Sequence, residues 1–220
     1  GSSNDTIYVS QPGSVLTVNV NGVSNTYAGS FGDIVVKAGS GVDAITVDGS
    51  VSVDTLLYGG SGIDVLKNFT QGNATIVSIG GGIATVQGNG VNTAYWVDGS
   101  DVVNASATER AAGDVHQVSS FWGGVSTSLL GQNLTDPVGT GATTQIPNAS
   151  LWGTGPTMSD VTQGQSSDCF LLAAVQTLAY NAPGKLRQMA VDLGDGTYAV
   201  QFKRNGVTSY VRVDGDLPAN

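Results

Sequence analysis

A glycine-rich octad and its echo constrain this chain more than any other feature. Ala38-Gly39-Ser40-Gly41-Val42-Asp43-Ala44-Ile45 recurs as Gly59-Gly60-Ser61-Gly62-Ile63-Asp64-Val65-Leu66, 21 positions later. A weaker copy, Gly80-Gly81-Gly82-Ile83-Ala84-Thr85-Val86, lacks the aspartate, and Gly99-Ser100-Asp101-Val102-Val103 reads as a fourth turn. Between the copies lie strand-like runs at 33–37, 51–58 and 74–79, rich in β-branched residues. A unit of about 20 residues cannot bury its own apolar side, so neighbouring units must stack. The pattern predicts a β-solenoid. Ahead of it, residues 7–9 and 15–20 alternate apolar with polar or small residues, as strands with one buried face do. Asn21-Gly22 between Val20 and Val23 is a hairpin turn signal.

The second copy fits the pattern G-G-x-G-x-D-x-U in full, and the first departs only at Ala38. The pattern resembles the calcium-binding β-rolls of haemolysin-type (repeat-in-toxin) proteins. That resemblance implies calcium between stacked turns, with Asp43 and Asp64 among the oxygen ligands. The residues alone leave a second possibility open, a metal-free solenoid in which Asp43 and Asp64 cap turns.

The charge balance narrows the partners. A net charge of −9 and a pI near 4.1 argue against nucleic acid and against a polybasic membrane patch. No apolar run is long enough to span a bilayer. One cysteine excludes an internal disulfide. The acidic, lysine-poor, Gly/Ser/Thr/Asn/Val-rich composition suits a secreted or cell-surface bacterial protein, with acidic groups able to bind calcium. No signal peptide is visible, and Gly1-Ser2 has the look of a cloning scar.

After residue 103 the repeat fades. Residues 105–114 are charged and small, and 133–144 are rich in Gly and Thr. The expected organisation is a β-solenoid-like domain at 1–103, a linker or crossing segment at 104–145, and a second domain at 146–220. Phe121, Trp122, Val125, Leu129 and Leu130 are apolar enough to pack within the crossing.

The second domain holds the only cysteine. Apolar residues at 171, 172, 175, 178 and 179 follow Cys169 at helical spacing, and Ser166, Ser167 and Asp168 are N-cap candidates before it. Cys169 then falls in a first helical turn, where free amides and the helix dipole favour an anion. Gln163 stands six residues earlier, a place from which its amide can help hold an oxyanion.

Gln163, Gly164, Asp168, Cys169, Leu172, Ala173 and Ala174 match the motif Q-G-x-x-G-D-C-W-x-L-A-A, and the segment resembles calpain-family cysteine proteases. The similarity runs from near Ile146 to Asn220, with Ser167 and Phe170 in place of the family's Gly and Trp. It implies an α+β, partial papain-like subdomain, with Cys169 as nucleophile, Gln163 at the oxyanion and a protein or peptide substrate. The family's histidine base and asparagine lie well downstream, whereas no histidine follows Cys169. The resemblance therefore implies half an active site, inactive alone, whose partner is the missing second half of the core. It also places Gly153, Gly155 and Asp160 where family members bind calcium; the alternative is a turn in which Asp160 bonds its own backbone. The lone His116 reads as a loop histidine rather than a substitute base. The competing function is a non-catalytic surface binding or structural module with a degenerate protease-like half.

Overall fold

A computed structural model describes residues 1–128, 131, 134–135, 143–145, 151–152, 155–162 and 168–218. The chain is mostly β. It divides into two compact units, Gly1–Ser120 with Ser126–Leu129, and Phe121–Val125 with Leu130–Asn220.

The first unit opens with β1 (Thr6–Ser10), β2 (Val15–Val20) and β3 (Val23–Ala28), an antiparallel meander. Asn21 and Gly22, both at positive φ, make the tight β2–β3 turn, as the Asn-Gly pair predicts. The solenoid then winds through β4 (Asp33–Gly41), β5 (Ala44–Val47), β6 (Asp54–Asn68), β7 (Ala74–Ser78), β8 (Gly82–Gln87), β9 (Thr93–Val97) and β10 (Val102–Asn104). Each element pairs in parallel with its counterpart one coil away. One ladder runs β4-β6-β7-β9, and a second runs β1-β5-β6-β8-β10. The 15-residue β6 belongs to both.

Alternation decides what lies between the ladders. Leu57, Ile76 and Tyr95 stack in register on one, Ile45, Leu66 and Val86 on the other, all with no exposure. Every coil thus contributes a layer to one continuous core. Polar residues close the ends of the layers: Thr55 Oγ1 donates to Asn68 Oδ1 at 2.7 Å, both buried.

The stretch expected to be a linker from residue 104 carries further structure in this unit. Helix α1 (Ala107–Ala112) is followed by β11 (Val115–Gln117), which pairs with β9 and extends the first ladder. Ser106 and Glu109 form a capping box. Glu109 is fully buried: Oε1 accepts from Gly90 N at 3.1 Å, and Oε2 accepts from Ser106 N at 2.8 Å and Tyr95 Oη at 3.2 Å. Glu109→Gln replaces one acceptor by a donor facing these donors. It is expected to cost about 2 kcal/mol, read as a lower midpoint in urea unfolding.

The second unit contains β12 (Thr143–Gln145), α2 (Cys169–Asn181), α3 (Pro183–Met189), β13 (Ala190–Asp192), β14 (Thr197–Arg204), β15 (Val207–Asp214) and β16 (Asp216–Pro218). β13, β14 and β15 form an antiparallel sheet, with Asn205-Gly206 at positive φ turning the hairpin. β12 pairs with β16. Helix α2 stops at Ala182 because Pro183 cannot continue it, and Pro183 instead starts α3. No described helix is long and apolar enough to cross a membrane.

Candidate active site and the buried aspartate column

Cys169 is the first residue of the 13-residue α2, and its side chain is exposed. The carbonyl of Asp168 accepts from Leu171 N at 2.9 Å and Leu172 N at 3.1 Å. Asp168 occupies the N-cap position through this backbone oxygen; its side chain makes no cap hydrogen bond. The cysteine therefore stands where the first turn's amides have no helical acceptor. Leu172, Val175, Leu178 and Ala179 turn toward the unit, as their spacing predicts, whereas Leu171 of the same apolar set is 42% exposed. The opposite side is unusually apolar: Phe170 is 78% exposed and Tyr180 71%. Gln163, the oxyanion candidate, lies outside the described residues, as do Gly164, Ser166 and Ser167.

Asp160, a calcium candidate, sits in a 3-10 turn over Met158–Asp160. Its Oδ2 accepts from Thr157 N at 2.7 Å and from Thr157 Oγ1 at 2.9 Å. The carboxylate thus serves its own turn. Gly155 donates its N–H to Trp152 O at 2.7 Å, and Gly153 lies outside the described residues.

Asp43 and Asp64 are buried within the solenoid. Asp43 Oδ1 accepts from Asp5 N at 2.7 Å, and Asp64 Oδ1 accepts from Asp43 N at 2.9 Å. Each carboxylate caps the amide one coil earlier. Asp101 does the same for Ala84 N at 2.7 Å. Ala84 aligns with Asp64 and breaks the column. Burial first, then the Asp43 charge, act to push the Asp64 carboxyl above its ordinary range, against the hydrogen bond from Asp43 N. Calcium asks for six to eight oxygens. Here one oxygen of each aspartate is already committed to an amide, and Asp43 Oδ2 is a buried oxygen with no hydrogen-bond partner. Among the described residues, no group of three or more His, Cys, Asp or Glu is placed to hold a metal. Those side chains alone do not make up a calcium shell.

His116 is part of β11 in the solenoid. It is buried and stacks on Trp96 with ring centroids 4.3 Å apart. It belongs to the first unit and Cys169 to the second.

One feature of the second unit escapes sequence inspection. Arg212 is buried on β15, opposite Ala199. Its Nη2 meets Asp195 Oδ2 at 2.6 Å, its Nε donates to Thr197 Oγ1 at 2.9 Å, and its guanidinium lies over Phe121, 5.8 Å from the ring centroid. Asp195 Oδ2 also accepts from Gly131 N at 3.1 Å, while Asp214 Oδ2 accepts from Leu134 N at 2.8 Å and Asp216 Oδ2 from Thr143 Oγ1 at 2.8 Å. These carboxylates fasten Gly131, Leu134 and Thr143 to the turn before β14, the end of β15 and the start of β16. The only local signal is a charged residue in an inward-facing strand position.

No curated protein and no solved structure matches this chain. Residues 142–220 match the family model of calpain family cysteine proteases, so this stretch, which carries Cys169, is similar to a cysteine protease domain.

Proposed function

We propose that the second unit is the nucleophile-bearing half of a calpain-like cysteine endopeptidase, within a secreted or surface bacterial protein whose solenoid precedes it. The observation that carries this reading is the family match over 142–220 coinciding with Cys169 exposed on the first turn of α2. In the proposed reaction the Cys169 sulfur attacks a peptide carbonyl. The amide of Gln163 and a backbone N–H at the start of α2 hold the oxyanion. The thiol proton passes to a histidine supplied from outside these 220 residues, because the only histidine, His116, is packed in the solenoid. That histidine then protonates the leaving amine. The exposed Phe170 and Tyr180 support the same view, since they offer an apolar side for the base-bearing half to cover. Without it the chain is expected to show no turnover.

A peptidyl chloromethyl ketone tests the half-site without requiring turnover. Mass spectrometry should find one adduct, on Cys169, formed faster in the folded chain than in urea. Gln163→Ala should slow it by about tenfold, part of the ~100-fold an oxyanion donor contributes in a full enzyme. Equal rates folded and unfolded would reduce Cys169 to an ordinary surface thiol and end this reading.

A further inference from the structure

The first unit carries an open cleft of about 500 Å³ where the coil edges meet α1, lined by Phe69, Gln87, Asn89, Asn104, Ser106 and Glu109. That size lies within the range of small-molecule sites. The lining groups divide into two sets. Asn89, Ser106 and Glu109 are spent on the fold: Asn89 Nδ2 donates to Thr70 O at 3.0 Å, Ser106 Oγ donates to Gly90 O at 2.7 Å, and both Glu109 oxygens accept from protein donors. The amides of Gln87 and Asn104 have no hydrogen-bond partner within the described structure. Gln87 and Asn104 stand in register on the neighbouring strands β8 and β10, whose backbones run about 4.8 Å apart.

We infer that this cleft binds a neutral hexose unit of a glycan chain. Two adjacent amides present donors and acceptors together, which suits vicinal hydroxyls. The Phe69 ring offers an apolar surface for the C–H side of a sugar. The one carboxylate in the lining is saturated by internal donors, so no free ion is presented. The net charge of −9 disfavours a phosphorylated ligand of similar size. The cleft is open on one side, which admits a chain rather than only a free monosaccharide. This inference is independent of the protease reading, and Cys169 plays no part in it.

The test is calorimetric titration of the full chain with cellohexaose and, separately, chitohexaose, with nitrogen-labelled NMR following the Gln87 and Asn104 side-chain NH₂ signals. Binding of either is expected, with those signals shifting, and the arm that binds tells a plain from an N-acetylated hexose. The double variant Gln87→Ala/Asn104→Ala removes only partner-free groups, so its melting curve should match the parent while affinity falls by about tenfold or more. No binding of either oligosaccharide at millimolar concentration would overturn the inference. So would binding that survives the double variant or leaves the NH₂ signals unmoved.

Discussion

Gly62→Ala is expected to unfold the solenoid under conditions where the parent chain is intact. Gly62 has φ +135°, a conformation that residues with a side chain avoid. A Cβ there would run into the carbonyl oxygen of Gly41 in the coil before, and Gly62 N donates to Gly81 O at 3.1 Å in the coil after. Both neighbours are backbone, so neither can swing aside. Relief requires prising apart coils that are held by β4–β6 and β6–β8 pairing. The cost should exceed about 4 kcal/mol, a large share of the stability of a domain this size. Gly13→Ala is the control. Gly13 has φ +70° but open space around its Cα, so it isolates backbone strain, about 1 kcal/mol. Far-ultraviolet circular dichroism melts of the two variants decide the matter. If they melt together, the coils do not approach at the glycine turn as described.

Arg212→Met is expected to destabilise the second unit by about 3–5 kcal/mol. The Arg212 side chain is fully enclosed and that of Asp195 is 10% exposed. Removing the guanidinium strands the Asp195 carboxylate and withdraws the cation from the Phe121 ring. Methionine keeps most of the apolar stem, so the loss reports charge and hydrogen bonding rather than volume. Adding Asp195→Asn to Arg212→Met should recover part of the loss, because no unpaired charge then remains. Acid sharpens the test. Burial pushes the Asp195 carboxyl up, but hydrogen bonds from Thr197 and Gly131 together with the Arg212 charge outweigh it and hold it below the ordinary aspartate value. A lowered folded value means its stabilisation is present above the unfolded value, near 3.9, and is lost as pH falls through the folded one. Urea melts from pH 6 downward should show this acid loss in the parent and a flatter profile in Arg212→Met. An unchanged profile would mean that the Arg212–Asp195 pair carries none of it.

The solenoid was legible because its instructions are local. Gly39, Gly41, Gly60, Gly62 and Gly82 all take positive φ, and each recurs at the coil spacing. Asn21-Gly22 announced its hairpin in the same way. Helix α1 had its capping box written in Ser106 and Glu109, but it spans only six residues, too few to show a helical period inside a stretch that otherwise reads as linker. Around Cys169 the spacing of apolar residues gave the helix, and the position of the cysteine within it followed.

Partners distant along the chain were not legible. Asp43 and Asp64 fit a calcium-binding pattern equally well as ligands or as turn caps. Their roles as acceptors for Asp5 N and Asp43 N depend on which coil lies alongside. His116 gained its stack on Trp96 only when β11 paired with β9, and Arg212 met Asp195 and Phe121 only through the second unit's folding. By itself the sequence determined the turns, the repeat and the helix that presents Cys169, because a residue's own backbone preference and near-neighbour spacing settle these. Tertiary structure alone decided which buried carboxylates are committed to amides, which to a guanidinium and which amides stay unpaired. A charge or polar group inside a protein takes the partner that packing brings within 3 Å, and sequence distance does not set that.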